Sequence, residues 1–159
     1  IDIANCGRIT SLNNLVRKCP ELTYIKARGC YQLTDDSLKE IANNCSELKH
    51  IDVAYCPEIT DDGLVSIVDK CSNINAINVS GCNKITDSAI IAIAEECPYL
   101  TTISLADCIQ VTDAAIEKLG NQCEKLQFIY LRGCCNILPH TIESITNKCK
   151  GISELSYTM

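Results

Sequence analysis

The stretch CPELTYIKARGCYQLTDDSLKEIANNC, running from Cys19 to Cys45, contains one complete copy of the pattern from which the whole chain is built. Ile25 and Ala27 are two residues apart, so in an extended segment both face one side while Tyr24, Lys26 and Arg28 face the other. That spacing predicts a half-buried strand. Leu38, Ile41, Ala42 and Cys45 stand at i, i+3, i+4 and i+7, which is one stripe of a helix. Thr34 and Asp35 lie just ahead of the stripe, where a short polar side chain accepts an orphan backbone N–H and a carboxylate suits the positive end of the helix dipole. That pair predicts a helix start.

Outward from this copy the same frame recurs. Cys19, Cys45, Cys71, Cys97, Cys123 and Cys149 are spaced by 26 residues, and Cys30, Cys56, Cys82, Cys108 and Cys134 form a second series at the same interval. The strand pair returns as Ile51 and Val53 and as Ile103 and Leu105. The helix stripe returns as Leu64, Ile67, Val68 and Cys71, and the helix start as Thr60–Asp61, Thr86–Asp87 and Thr112–Asp113. The expected organisation is a single unit over 1–159: a partial repeat at 1–18, full repeats at 19–44, 45–70, 71–96, 97–122 and 123–148, and a terminal strand at 149–159. The first copy is two residues short, passing from Cys6 through Ile9 to Leu12. The fifth replaces Thr-Asp by Leu138–Pro139, where proline suits the first helical position. A strand of about five residues and a helix of about nine cannot each bury a face alone, but stacked copies share one continuous core. The fold expected is an α/β repeat, a curved right-handed solenoid with parallel strands on the concave face and helices on the convex face. Seven strands at about 4.8 Å each would span about 29 Å. Because the chain opens at Ile1 in mid-strand and closes just after a strand core, without polar caps, it is expected to belong to a longer protein.

Composition excludes several classes of function. Of 159 residues 47% are hydrophobic, enough for a core without metals or crosslinks, and the net charge of −6 speaks against binding nucleic-acid phosphates. The best apolar run, Ile90–Ala94, is far short of the roughly 20 residues that span a bilayer. No membrane association is expected. Thirteen cysteines would suggest a disulfide scaffold in a small secreted chain, but cysteines that recur with the repeat are packing positions, and reduced, buried thiols fit a cytoplasmic or nuclear protein. Zinc needs closely paired ligands, and Cys134–Cys135 is the only close pair, so neither a metal nor another cofactor is expected. His50 and Asp52 share an exposed strand face with Ser80 and Ser104. Without a nucleophile elbow or a Gly-rich oxyanion loop they do not make a hydrolase, and the chain reads as no enzyme. Asn44-Cys45-Ser46 and Asn78-Val79-Ser80 match the glycosylation acceptor pattern, but the middle residue of each is a core position.

The residues left on the exposed strand face predict a protein-binding wall. By register they include Tyr24, Lys26 and Arg28; His50, Asp52 and Tyr55; Asn78; Ser104 and Asp107; and Phe128, Tyr130 and Arg132. Phe128, the only phenylalanine, is expected to face solvent beside Tyr130 and Arg132, residue types enriched at binding hot spots. Between the two aromatic and basic groups, Ala76, Asn78, Ser80 and Gly81 are small and leave room for an incoming segment. Lys26, Arg28 and Arg132 against Asp52 and Asp107 make the wall slightly positive, so the expected partner is a protein offering an acidic or phosphorylated segment.

The frame Leu22-x-x-Ile25-x-Ala27-x-x-Cys30-x-x-Leu33-Thr34-Asp35 resembles the cysteine-containing leucine-rich repeat, in which Cys30 takes the place of the asparagine of other subtypes. The resemblance covers nearly the whole chain, and the period lies in the 20–29 range of leucine-rich repeats. It implies the substrate-recognition solenoid of an F-box-type receptor of cullin-type ubiquitin ligases, with the ligase adaptor bound through regions outside these residues. The alternative is a structural leucine-rich-repeat subunit of a large assembly, such as an axonemal or cytoskeletal complex, with no role in ubiquitination.

Overall fold

The computed structural model describes residues 1–157. In chain order the elements are α1 (Asn13–Val16), β1 (Tyr24–Lys26), α2 (Asp35–Asn44), β2 (His50–Asp52), α3 (Asp61–Val68), β3 (Ala76–Asn78), α4 (Asp87–Glu96), β4 (Thr102–Ser104), α5 (Asp113–Gln122), β5 (Phe128–Tyr130), α6 (Pro139–Lys148) and β6 (Glu154–Ser156). The six strands form one parallel sheet in sequence order, β1 to β6. Each strand reaches its parallel neighbour through a crossover that holds a helix, as parallel pairing requires. Every helix packs on the next, so the molecule is a strand layer and a helix layer stacked rung by rung. Hydrogen-bonded strands sit about 4.8 Å apart whereas packed helices need about 8–10 Å, and this mismatch curves the stack with the strands inside.

The register has no slip. Ile25, Ile51, Ile77, Ile103, Ile129 and Leu155 are successive partners across the sheet, so equal side chains stack at the 26-residue interval. The strands are three residues long rather than five. Pairing continues a little beyond them, as when Ala27 N–H donates to Asp52 O at 2.7 Å and Gly29 N–H to Ala54 O at 2.8 Å, and then a left-handed turn swings the chain away. The seventh rung expected at the N-terminus is present only as the bridge between Asp2 and Lys26, supported by Ile3 N–H donating to Lys26 O at 2.8 Å.

The helix stripe is buried as its spacing predicts, with Leu38, Ile41, Ala42 and Cys45 all in the core. Both cysteine series also pack inside, except that Cys19 at the N-terminal end is half-buried; Cys6, which stands outside both series, is exposed. In the strand-side series each thiol donates to a carbonyl of the preceding rung: Cys30 Sγ to Ile3 O, Cys56 to Ala27 O, Cys82 to Val53 O, Cys108 to Val79 O and Cys134 to Leu105 O, at 3.0–3.3 Å. The cysteine therefore satisfies a backbone acceptor that stacking would otherwise bury unpaired. Burial pushes the thiols of Cys56, Cys97, Cys108 and Cys123 up to about 12.

The Thr-Asp pairs do more than start helices. Thr60, Thr86 and Thr112 cap their own helices by accepting the N–H two residues on. In addition, each aspartate accepts two hydrogen bonds from the next rung. Asp35 takes Thr60 N–H at 2.8 Å and its hydroxyl at 2.6 Å, and Asp61 to Thr86 and Asp87 to Thr112 repeat the staple.

Candidate protein-binding surface

The strand layer exposes a lattice of side chains in rows. The first residues of the strands are Tyr24, His50, Ala76, Thr102, Phe128 and Glu154; the third residues are Lys26, Asp52, Asn78, Ser104, Tyr130 and Ser156. Two residues further on, Arg28 and Arg132 are exposed at the ends of a row whose middle members are the buried Ala54 and Ser80 and the half-buried Ala106. Bulky groups thus stand over β1, β2 and β5 and small ones over β3 and β4. A single hollow of about 330 Å³ lies between them, reaching from Tyr24 and His50 to Tyr130 across Ala76, Asn78, Thr102 and Ser104. Residues of five strands, β1 to β5, line this hollow.

The rim on the β1 side is held by stacking and charge. The rings of Tyr24 and His50 meet edge to face with centroids 5.9 Å apart. Lys26 pairs with Asp2 at 3.2 Å, and the Asp2 carboxyl is held below its ordinary value first by the Ala4 N–H and then by Lys26. On the opposite rim, burial and then the neighbouring Glu154 carboxylate raise the Tyr130 phenol, which stays neutral and able to donate. Phe128 is half-buried on the open face between its sheet neighbours Thr102 and Glu154, and it is Tyr130 that reaches the hollow. The positive surplus read from the sequence stops short of the hollow: Lys26 is taken by Asp2, and Asp52 is the one aspartate in the lining, which holds no Lys or Arg.

Tyr55 and Asp107 do not lie on strands. Each occupies the left-handed turn that follows one, with φ of 57° and 61°, and the same slot in other copies holds Asn5, Gly29, Gly81 and Gly133, all with positive φ. Residues with and without a side chain alternate there for a steric reason. A Cβ on Gly81 would come within 2.5 Å of the Tyr55 ring, and one on Gly133 within 2.2 Å of Asp107 Oδ1. Tyr55 so covers the glycine of the next rung while Arg28 of the preceding rung stacks on its ring at 4.7 Å. The recurrence of glycine at every second copy, Gly29, Gly81 and Gly133, was the sequence signal for this arrangement.

The floor carries a hydrogen-bond chain that sequence reading missed. Asn78 Oδ1 accepts from Ser80 N–H at 3.1 Å and from the Ser80 hydroxyl at 2.7 Å, and Ser80 Oγ lies 2.7 Å from Ser104 Oγ. His50, Asp52, Ser80 and Ser104 form no catalytic relay: the serines bond to each other and to Asn78, and Asp52 Oδ1 accepts the Ala54 N–H. Among the described residues no helix is long and apolar enough to cross a membrane.

No curated protein sequence matches the chain. A family model described as "Leucine Rich repeat" matches residues 44–68 and 70–94. Among solved structures, a chain of the yeast Rad7 and Elc1 complex superposes with a TM-score of 0.67 at 22% identity over 76% of this chain, which spans 30% of that one. The structure described as leiomodin-1 actin-binding site 2 gives 0.67 at 18% identity, covering 87% of this chain and 85% of its own. The tropomodulin C-terminal domain of Caenorhabditis elegans gives 0.65 at 10% identity, covering 87% and 89%. Taken with the in-register strand ladder and the stacked helices, these likenesses show that the chain has the α/β repeat solenoid fold, with two of its repeats matching the leucine-rich-repeat model.

Proposed function

We propose that this solenoid is a protein-interaction module that takes its partner on the concave strand wall, and that it serves as the substrate-recognition part of an F-box-type ubiquitin ligase receptor. The observation that carries the binding reading is the hollow of about 330 Å³, small-floored and rimmed by Tyr24, His50 and Tyr130, because a ring-walled recess supplies contact area at low entropic cost. Arg28 and Arg132, exposed beyond the strand ends, suit the carboxylates or phosphates of an acidic or phosphorylated segment lying across the wall. The ligase role rests on the cysteine-bearing repeat pattern, and its adaptor would bind outside these residues.

The test pairs the wall with the helix side. With a partner obtained by co-purification, Tyr130→Ala or Arg132→Ala should weaken binding by about 1 to 3 kcal/mol with folding intact, whereas Lys39→Ala and Glu117→Ala on the helices should change little. Equal affinity for the wall variants and wild type would move the interface elsewhere. A partner set containing cullin adaptors supports the ligase role.

A second reading has its own support, since the likeness to leiomodin-1 actin-binding site 2 runs nearly end to end on both chains. In that case the chain is a cytoskeletal subunit. Co-sedimentation with actin filaments, abolished by wall substitutions, would favour it over the ligase role.

A further inference from the structure

We propose that the floor of the concave hollow reads a carboxamide, so that the segment bound there is an extended stretch of the partner with an Asn or Gln side chain seated between the rims. This deepens the concave-wall reading and rests on it. The protons of the Asn78–Ser80–Ser104 chain have one consistent order. Ser80 N–H can only donate, which makes the Asn78 atom it meets the carbonyl oxygen and fixes the orientation of the amide. The same oxygen accepts the single hydroxyl proton of Ser80. Ser80 Oγ must therefore accept from Ser104, whose proton is consumed in turn. What is left free among the described residues is a pair with fixed polarity: the two N–H donors of Asn78 Nδ2 and the lone pairs of Ser104 Oγ.

Asn78 and Ser104 are register partners on β3 and β4, so this donor and this acceptor stand side by side, about 4.8 Å apart at the backbone. A carboxamide offers the matching pair, its C=O to Asn78 and its N–H to Ser104. A carboxylate lacks the N–H and would face the Ser104 lone pairs, with Asp52 in the same lining. An ammonium or guanidinium would leave the Asn78 N–H groups without an acceptor. Asn78 and Ser104 are half-buried, and a bound segment would cover them, so the cost of leaving a covered group unpaired is what would give such a site its selectivity. Ala76 and Thr102 keep the floor low, and Tyr24, His50 and Tyr130 enclose the apolar stem. Any acidic residues of the same segment would fall outside the hollow, toward Arg28 and Arg132.

The probe is a phage-displayed random peptide library panned against the whole chain, with enriched peptides synthesised and titrated. Peptides sharing an Asn or Gln flanked by apolar residues are expected. Their affinity should fall about tenfold or more in Asn78→Asp, which keeps the oxygen that Ser80 needs but removes both donors, and in Ser104→Ala. Thermal unfolding of Asn78→Asp close to wild type separates this loss from misfolding, and a peptide with Leu in place of its Asn or Gln should bind as weakly to wild type. Enriched peptides that need Tyr130 but carry an acidic residue at the key position, or that bind Asn78→Asp within about twofold of wild type, would overturn the carboxamide assignment and leave the wall as the interface. Peptides weakened only by Lys39→Ala would overturn both. Failure to enrich any sequence would also overturn it.

Discussion

The inner rungs and the terminal rungs are built from the same 26-residue pattern, yet they are held differently. Between β2 and β5 each rung has two neighbours: aspartates Asp35, Asp61 and Asp87 staple onto the threonine of the next copy, and the thiols beneath are sealed. At the C-terminal side Asp113 meets Leu138, which offers its backbone N–H at 2.8 Å but no hydroxyl. At the N-terminal side the short first copy has no carboxylate between Ile9 and Leu12; Thr34 makes no side-chain cap bond, and α1 is only four residues long. A solenoid is held by its interfaces, so a rung that meets an irregular copy loses staples before it loses core.

Alkylation should separate the two regions most strongly. With iodoacetamide and peptide mass spectrometry, Cys6 and Cys135, both exposed, should label first and Cys19 next. Cys56, Cys71, Cys82, Cys97, Cys108 and Cys123 should react orders of magnitude more slowly, through unfolding. Their pKa values, raised by burial above the ordinary value of 9.0, add a pH dependence with a definite sign. The stability they lend is intact below pH 9 and is lost as pH climbs toward 12, because the unfolded chain releases those protons first. Uniform labelling of all thirteen thiols in native protein would erase the distinction.

Next in size is the staple itself. Asp87→Ala strands the Thr112 N–H and hydroxyl and should cost about 2 to 3 kcal/mol in urea unfolding. Asp113→Ala removes one bond and should cost about 1 kcal/mol. Equal losses would mean that the hydroxyl arm contributes nothing. Leu138→Thr tests the same point in reverse: Leu138 is 51% exposed, so little apolar burial is lost, and a hydroxyl there can both cap α6 and reach Asp113. A gain of about 1 kcal/mol is expected, and a loss would show that the staple cannot form beside Pro139. The smallest effect belongs to Thr34→Ala, about 0.5 kcal/mol or less, against about 1 to 2 kcal/mol for Thr86→Ala, which loses both a cap and a staple.

The strand pair and the helix stripe were legible in the sequence because each obeys a short-range rule: alternation at Ile25 and Ala27, and i, i+3, i+4, i+7 spacing at Leu38, Ile41, Ala42 and Cys45. The interval of 26 between equal residues then sufficed for a stacked parallel sheet, since only an unslipped register buries every Ile25 equivalent. Candidate surface residues followed as the complement of the core. The second duty of the Thr-Asp pairs, by contrast, joins residues 25 apart and depends on how far one rung sits from the next. The ring of Tyr55 against Gly81, the loss of Lys26 to Asp2 and the proton order through Asn78, Ser80 and Ser104 likewise depend on which side chains from different copies come within bonding distance. Periodicity determined the backbone lattice by itself, because burial of a repeated face is a property of each copy alone. Only the tertiary structure decided what the exposed residues do, because their chemistry is set by neighbours a whole repeat away.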